Sequence, residues 1–132
     1  MARFWLGILA VAAASWPVAA SAFERAEYDY LLACAGCHRF DGSGSPSVPP
    51  LDDVPRLLAT EAGRDYVLRV PGVAQAPLGD ERLAAVLRYV VGELAGAETD
   101  GLPRAEEVGR LRARPLIDPA SARARLDLGG AQ

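Results

Sequence analysis

The chain has 132 residues, a formal net charge of −3 and an apolar fraction of 51%. That length accommodates one domain and excludes a second of ordinary size. Its 14 basic residues are all arginine and no run of five like charges occurs, which excludes a nucleic-acid-binding arm; two cysteines and one histidine exclude a disulfide framework and a four-ligand structural zinc.

The amino terminus reads as an export signal. Arg3 supplies a positive start, Phe4 to Ala14 is an uncharged apolar run, Ser15-Trp16-Pro17 breaks it, and Ala20-Ser21-Ala22 offers small residues for cleavage. The run falls short of the roughly 20 apolar residues that cross a bilayer, so a membrane span after cleavage is not expected. Residues 1–22 are therefore assigned as a signal peptide, with Ala20 as the second-choice site. The protein is placed in a periplasm-like space, with Phe23 as its first residue. Removal of Arg3 takes the charge from −3 to −4 and removes Met1, the sole methionine.

Glu24 to Ala33 fits an amphipathic helix, with Tyr30, Leu31 and Cys34 at helical spacing. It runs into Cys34-Ala35-Gly36-Cys37-His38, the C-x-x-C-H signature of covalent haem attachment. Two thiols one turn apart can each form a thioether to one porphyrin, and the adjacent histidine then lies beneath the iron as proximal ligand. A thioredoxin-like redox pair would need a βαβ pattern, which is absent. A zinc site would need further cysteines or histidines. Asp41-Gly42-Ser43-Gly44-Ser45 follows as a turn-rich loop, then Pro49-Pro50-Leu51.

Val54 to Leu58 predicts a short helix with Pro55 in its first turn, broken by Gly63; Arg64 to Val70 predicts another, ended by Pro71-Gly72. Asp80 is placed as the cap of the clearest helix, in which Leu83, Val86, Leu87, Val90, Val91 and Leu94 form one apolar stripe. Gly92 and Gly96 weaken its end. Ala97 to Pro103 reads as a linker, followed by short helices at Glu106 to Arg112 and Ala120 to Leu126. Six arginines balance six carboxylates from Glu98 onward. The negative charge therefore lies in residues 23–96. The extension, residues 97–132, is expected to pack on that unit through Val108, Leu111, Leu116 and Ile117, docking on a partner being the alternative.

From Phe23 to Leu94 the sequence resembles the class I monohaem c-type cytochromes. The resemblance implies an all-α fold of three to five helices around one covalent haem c, with a helical C-terminal extension here. It implies thioethers from Cys34 and Cys37 and a proximal His38. It also implies a proline carbonyl accepting from the outer histidine nitrogen, assigned to Pro50 with Pro49 as the alternative. Leu57, Leu58, Tyr66, Val67 and Val70 would pack on the porphyrin, and the last helix would cross the first near Tyr89. The implied function is one-electron transfer between periplasmic redox proteins, from a dehydrogenase toward an oxidase. With the only histidine committed to iron, no nucleophile–base pair remains and no enzyme activity is expected.

The departure from the family lies on the distal side. Family members commonly supply a methionine from the loop before the last helix, which here reads Pro71-Gly72-Val73-Ala74-Gln75-Ala76-Pro77-Leu78. What remains for the sixth iron position is an open or water-bound site, Gln75, or the α-amine of Phe23. The favoured reading is the open or water-bound site. It keeps a second function in view, a haem protein binding diatomic gases; a third is a subunit held permanently in a larger dehydrogenase.

Overall fold

A computed structural model describes residues 18–126, and within them the protein is helical, with one isolated antiparallel bridge between Ser45 and Val48. Arg3, Phe4 to Ala14 and Met1, which carry most of the expected export signal, lie outside the described residues. No described helix is long and apolar enough to cross a membrane.

Helix α1 (Val18–Ala33) packs across α6 (Asp80–Tyr89). Its buried face carries Ala26 and Tyr30, four residues apart as a helical stripe requires, and Leu83, Val86 and Leu87 answer from α6. Tyr89 sits at the crossing, its ring centroid 5.7 Å from that of Phe23 and 5.6 Å from that of Tyr30. Asp29 is also on this face, 1% exposed, and accepts both nitrogens of a guanidinium fork from Arg82 on α6 (Nε to Oδ2, 2.8 Å). The ion pair crosses between the two helices.

Asp80 does not cap α6. Gly79 holds the cap position, Asp80 is the first helical residue, and its carboxylate faces Arg112 at 3.3 Å. Beyond Tyr89 the helix widens into a π-helical turn, Val90–Leu94, which contains Gly92 and is closed by the Ala95 amide on Val90 O at 2.9 Å. Helicity thus persists where glycine predicts weakening, in a wider form.

Between α1 and α6 run single-turn α2 (Ala35–His38), α3 (Val54–Leu58), α4 (Glu61–Arg69) and single-turn α5 (Pro71–Ala74). Gly63 does not break the chain. It lies inside α4, whose start is capped by Thr60 Oγ1 accepting from the Gly63 amide at 3.0 Å. Glycine is needed there for a different reason: a Cβ would stand 2.0 Å from Leu57 O, so only hydrogen lets α3 and α4 approach this closely. The break falls at Ala59-Thr60. Val70, extended as a residue before proline must be (φ −57°, ψ 141°), separates α4 from α5.

Among the described residues, the extension folds back over this body. Helix α7 (Ala105–Arg112) lays Val108, fully buried, and Leu111 against α6 and α4. Leu116 is half-buried and its amide donates to Arg69 O at 2.8 Å. Ile117, expected to pack, is instead 101% exposed, because the chain turns outward there before α8 (Pro119–Ala124). Asp118 caps α8 by accepting from the Ser121 amide at 2.9 Å.

Candidate haem-binding site

Cys34, Cys37 and His38 share one turn. The Cys34 amide closes α1 on Tyr30 O (2.8 Å), and the amides of Cys37 and His38 both donate to Cys34 O, at 3.1 and 3.0 Å. Two thiols and the imidazole are thereby gathered at the end of a helix whose face is buried. Burial pushes the Cys34 thiol up to about 11, with Asp29 and Cys37 adding to the effect, whereas Cys37 is exposed.

His38 Nδ1 lies 3.1 Å from Pro49 O. The carbonyl facing the imidazole is therefore that of Pro49 and not of Pro50. The reason lies in the intervening loop, which is more tightly built than a plain turn-rich stretch. The Gly44 amide donates to His38 O (3.1 Å) and the Ser45–Val48 bridge folds the loop on itself. Gly44 packs so closely that a Cβ would meet Val48 O at 2.3 Å. This fold sets Pro49, one residue earlier than assigned, beside the ring. Burial lowers the His38 pKa from its usual value, the Pro49 contact opposing it, so the ring favours its neutral form. A neutral imidazole bonded through Nδ1 leaves Nε2 for a metal.

Next to this turn is a cavity of about 320 Å³. Cys37 and His38 form part of its wall, and Val54, Leu57, Val67, Val70, Pro71 and Val73 supply apolar surface. Leu57, Tyr66, Val67 and Val70 line it; Leu58 does not, being part of the core beneath. A larger cleft of about 610 Å³ between α4 and α7 is walled by the charged residues Glu61, Arg64, Asp65, Glu107, Arg110 and Arg114. It offers neither a soft ligand nor an apolar slot, so the smaller cavity is the functional candidate.

Gln75 does not reach this cavity. It lies exposed at the end of α5, its amide on Pro71 O at 3.0 Å, while Ala74 and Ala76 on either side take the buried face. Phe23 is also absent from the lining, engaged with Tyr89. Pro119 and Arg123 from α8 also line the cavity, and the sequence reading placed neither there. The Arg123 guanidinium bonds Asp53 Oδ2 at 2.9 Å and stands 5.9 Å from the Tyr66 ring centroid. Nothing in the spacing of the extension distinguishes that arginine from five others nearby.

The donor set fits haem c. A planar apolar macrocycle needs an apolar slot, a neutral imidazole nitrogen and two thiols on the adjoining turn.

No protein-family profile matches the chain, and no solved structure does. Over 119 residues it is 35% identical to cytochrome c-552 of Thermus thermophilus, an alignment covering 73% of this chain and 91% of that protein. A second cytochrome c-552, from a further strain of T. thermophilus, is 35% identical over 119 residues, covering 73% of this chain and 80% of the relative. Helical architecture, cysteine–histidine turn and shared sequence lead to one conclusion: the chain belongs to the class I c-type cytochromes, electron carriers whose cofactor is haem c.

Proposed function

We propose that this cytochrome is an exported, periplasmic carrier of single electrons, accepting from a dehydrogenase and donating toward an oxidase. Residues 1–22 direct export, residues 23–96 hold one haem through thioethers from Cys34 and Cys37, and residues 97–132 pack against them. The observation that carries the reading is His38, oriented by Pro49 O at 3.1 Å on the wall of an apolar cavity. Bound haem supplies the one-electron iron couple. The chain holds the His38 ring neutral and fixed and excludes water with aliphatic side chains.

The decisive experiment is mass spectrometry of the exported protein with its pyridine haemochrome spectrum. One haem mass on the chain, lost in Cys34→Ser with Cys37→Ser, is expected. A haem-free exported chain overturns the proposal. With −4 on the processed chain, the partner should present a basic face, so reduction by the donor should slow as ionic strength rises. A rate indifferent to salt removes the charge argument.

A second reading is favoured by the cavity wall contributed by Val70, Pro71, Gly72 and Val73. None of these side chains can donate to iron, and the loop before α6 holds no methionine. With no such donor from this wall, the sixth position would be open or water-bound. Methionine ligation raises the potential, so this protein should have a lower one, and its ferrous form should bind carbon monoxide. A ferrous protein that refuses carbon monoxide overturns this reading and leaves the carrier function standing.

A further inference from the structure

Arg112, in the last turn of α7, binds the segment that continues from the wall of the cofactor cavity. Its side chain is 14% exposed. Nε and Nη2 donate to Ala74 O at 3.2 and 3.1 Å, Nη2 also to Ala76 O at 2.7 Å, and Nη1 to Leu78 O at 2.7 Å and Asp80 Oδ1 at 3.3 Å. One guanidinium therefore gathers three backbone carbonyls from the segment joining α5 to α6.

Carbonyls at the end of a four-residue helix and in an irregular segment have no helical partners and need donors from elsewhere. Within residues 74–78 the backbone supplies few: the Ala76 amide bonds Val73 O at a long 3.3 Å and the Leu78 amide bonds Ala76 O at 2.8 Å. Arg112 adds donors for the carbonyls of Ala74, Ala76 and Leu78. Pro71, Gly72 and Val73, which line the cavity, end immediately before Ala74. The cavity wall is thus tied down at its carboxyl end by a residue of the extension. A lysine could not replace it, since an ammonium is a point donor and cannot span three carbonyls in a fixed plane.

The geometry points to Arg112 as a positioning residue of the haem site, which holds residues 74–78 and through them the adjoining 71–73 wall, and so governs how readily a small neutral ligand reaches the sixth iron position. This rests on the open sixth position described above. The extension is then a working part of the cofactor site as well as a packing element.

The test compares the haem-loaded wild type with Arg112→Gln, Arg112→Lys and a control, Arg64→Gln. Arg64 also joins the body to the extension, through Leu58 O, Glu107 and Gly101 O, but touches nothing between residues 70 and 78. Carbon monoxide rebinding to the ferrous protein after flash photolysis should be about tenfold faster in Arg112→Gln, the scale set by losing a charged hydrogen bond. Arg112→Lys should be intermediate and Arg64→Gln within about twofold of wild type. Thermal melts of all four report general loosening separately. Equal acceleration by Arg64→Gln, or none by Arg112→Gln, overturns the assignment. If wild type binds no carbon monoxide, the open-site reading fails. The positioning role is then judged by the reduction potential and by amide exchange at residues 73–78. Both must move in Arg112→Gln and stay fixed in Arg64→Gln, or the role is refuted.

Discussion

Arg39, the residue after His38, has φ 65° and ψ 172°, a combination that glycine alone adopts without cost. The buried Tyr30 hydroxyl donates to its carbonyl at 2.6 Å and holds it there. Because the Arg39 side chain is exposed, Arg39→Gly should stabilise the protein by about 1 kcal/mol in urea denaturation. Unchanged or lower stability would show that the strain is illusory. Asp29 makes a second prediction at this scale. Its hydrogen bonds from Arg82 hold the carboxyl below its usual 3.8, against the opposing effect of burial. With the folded pKa depressed, the ion pair contributes fully above 3.8 and is lost as pH falls through the lower folded value. Asp29→Asn should therefore lower stability at neutral pH and flatten the acid limb of a pH–stability curve; an acid limb identical to wild type refutes the assignment. Single residues were unevenly legible. The cysteine–histidine turn is local, five consecutive residues, and was read directly. The Asp29–Arg82 pair joins positions far apart in sequence, and on a helical wheel a buried acid looks like a solvated one. Pro49 and Pro50 could be told apart only by a loop fold that glycine contacts, not sequence spacing, decide.

At the scale of elements, apolar periodicity gave α1, α6 and α7 because each buries a stripe wide enough to leave a 3.6-residue signature. Short elements obey steric rules that periodicity does not carry. Gly63 read as a helix breaker and proved to be the contact point of two helices. Gly63→Ala should cost about 3 kcal/mol, since its methyl and the Leu57 carbonyl cannot share the same space. A chemical-denaturation midpoint close to wild type would deny the close approach. Gly72 is the opposite case: it lines the cavity, and a Cβ there meets nothing within 4 Å. Gly72→Met therefore introduces a thioether on the wall with no donor of its own. Given an open sixth position, this substitution should raise the reduction potential and abolish carbon monoxide binding. Retention of both wild-type properties would place the wall out of reach of iron.

For the whole molecule, the extension was legible as helices and illegible as part of the site. The resemblance was read only as far as Leu94, although the match to the relative, 73% of this chain, is too long to end there; nothing in a balanced, arginine-rich tail announces that one arginine braces residues 74–78 and another lines the cavity. Removal of everything after Ala97 takes away buried Val108 and Leu111, each worth about 1.5–3 kcal/mol, and the donors of Arg112. Against the roughly 5–15 kcal/mol of an ordinary domain, that loss should lower the melting temperature by about 10 °C or more, on the order expected for a domain this size. A truncated protein that melts with wild type would make the extension dispensable. The position of α8 has one more consequence, for biogenesis. Synthesis delivers the chain amino end first, so Cys34 to His38 emerge well before Pro119 and Arg123, which complete the cavity wall. Whatever fills the cavity meets a half-built container during that interval and a finished one afterward. Cofactor loading is then a race against the arrival of the last helix, and delaying that helix by a longer linker at Ala97 to Pro103 should raise the loaded fraction when haem is scarce.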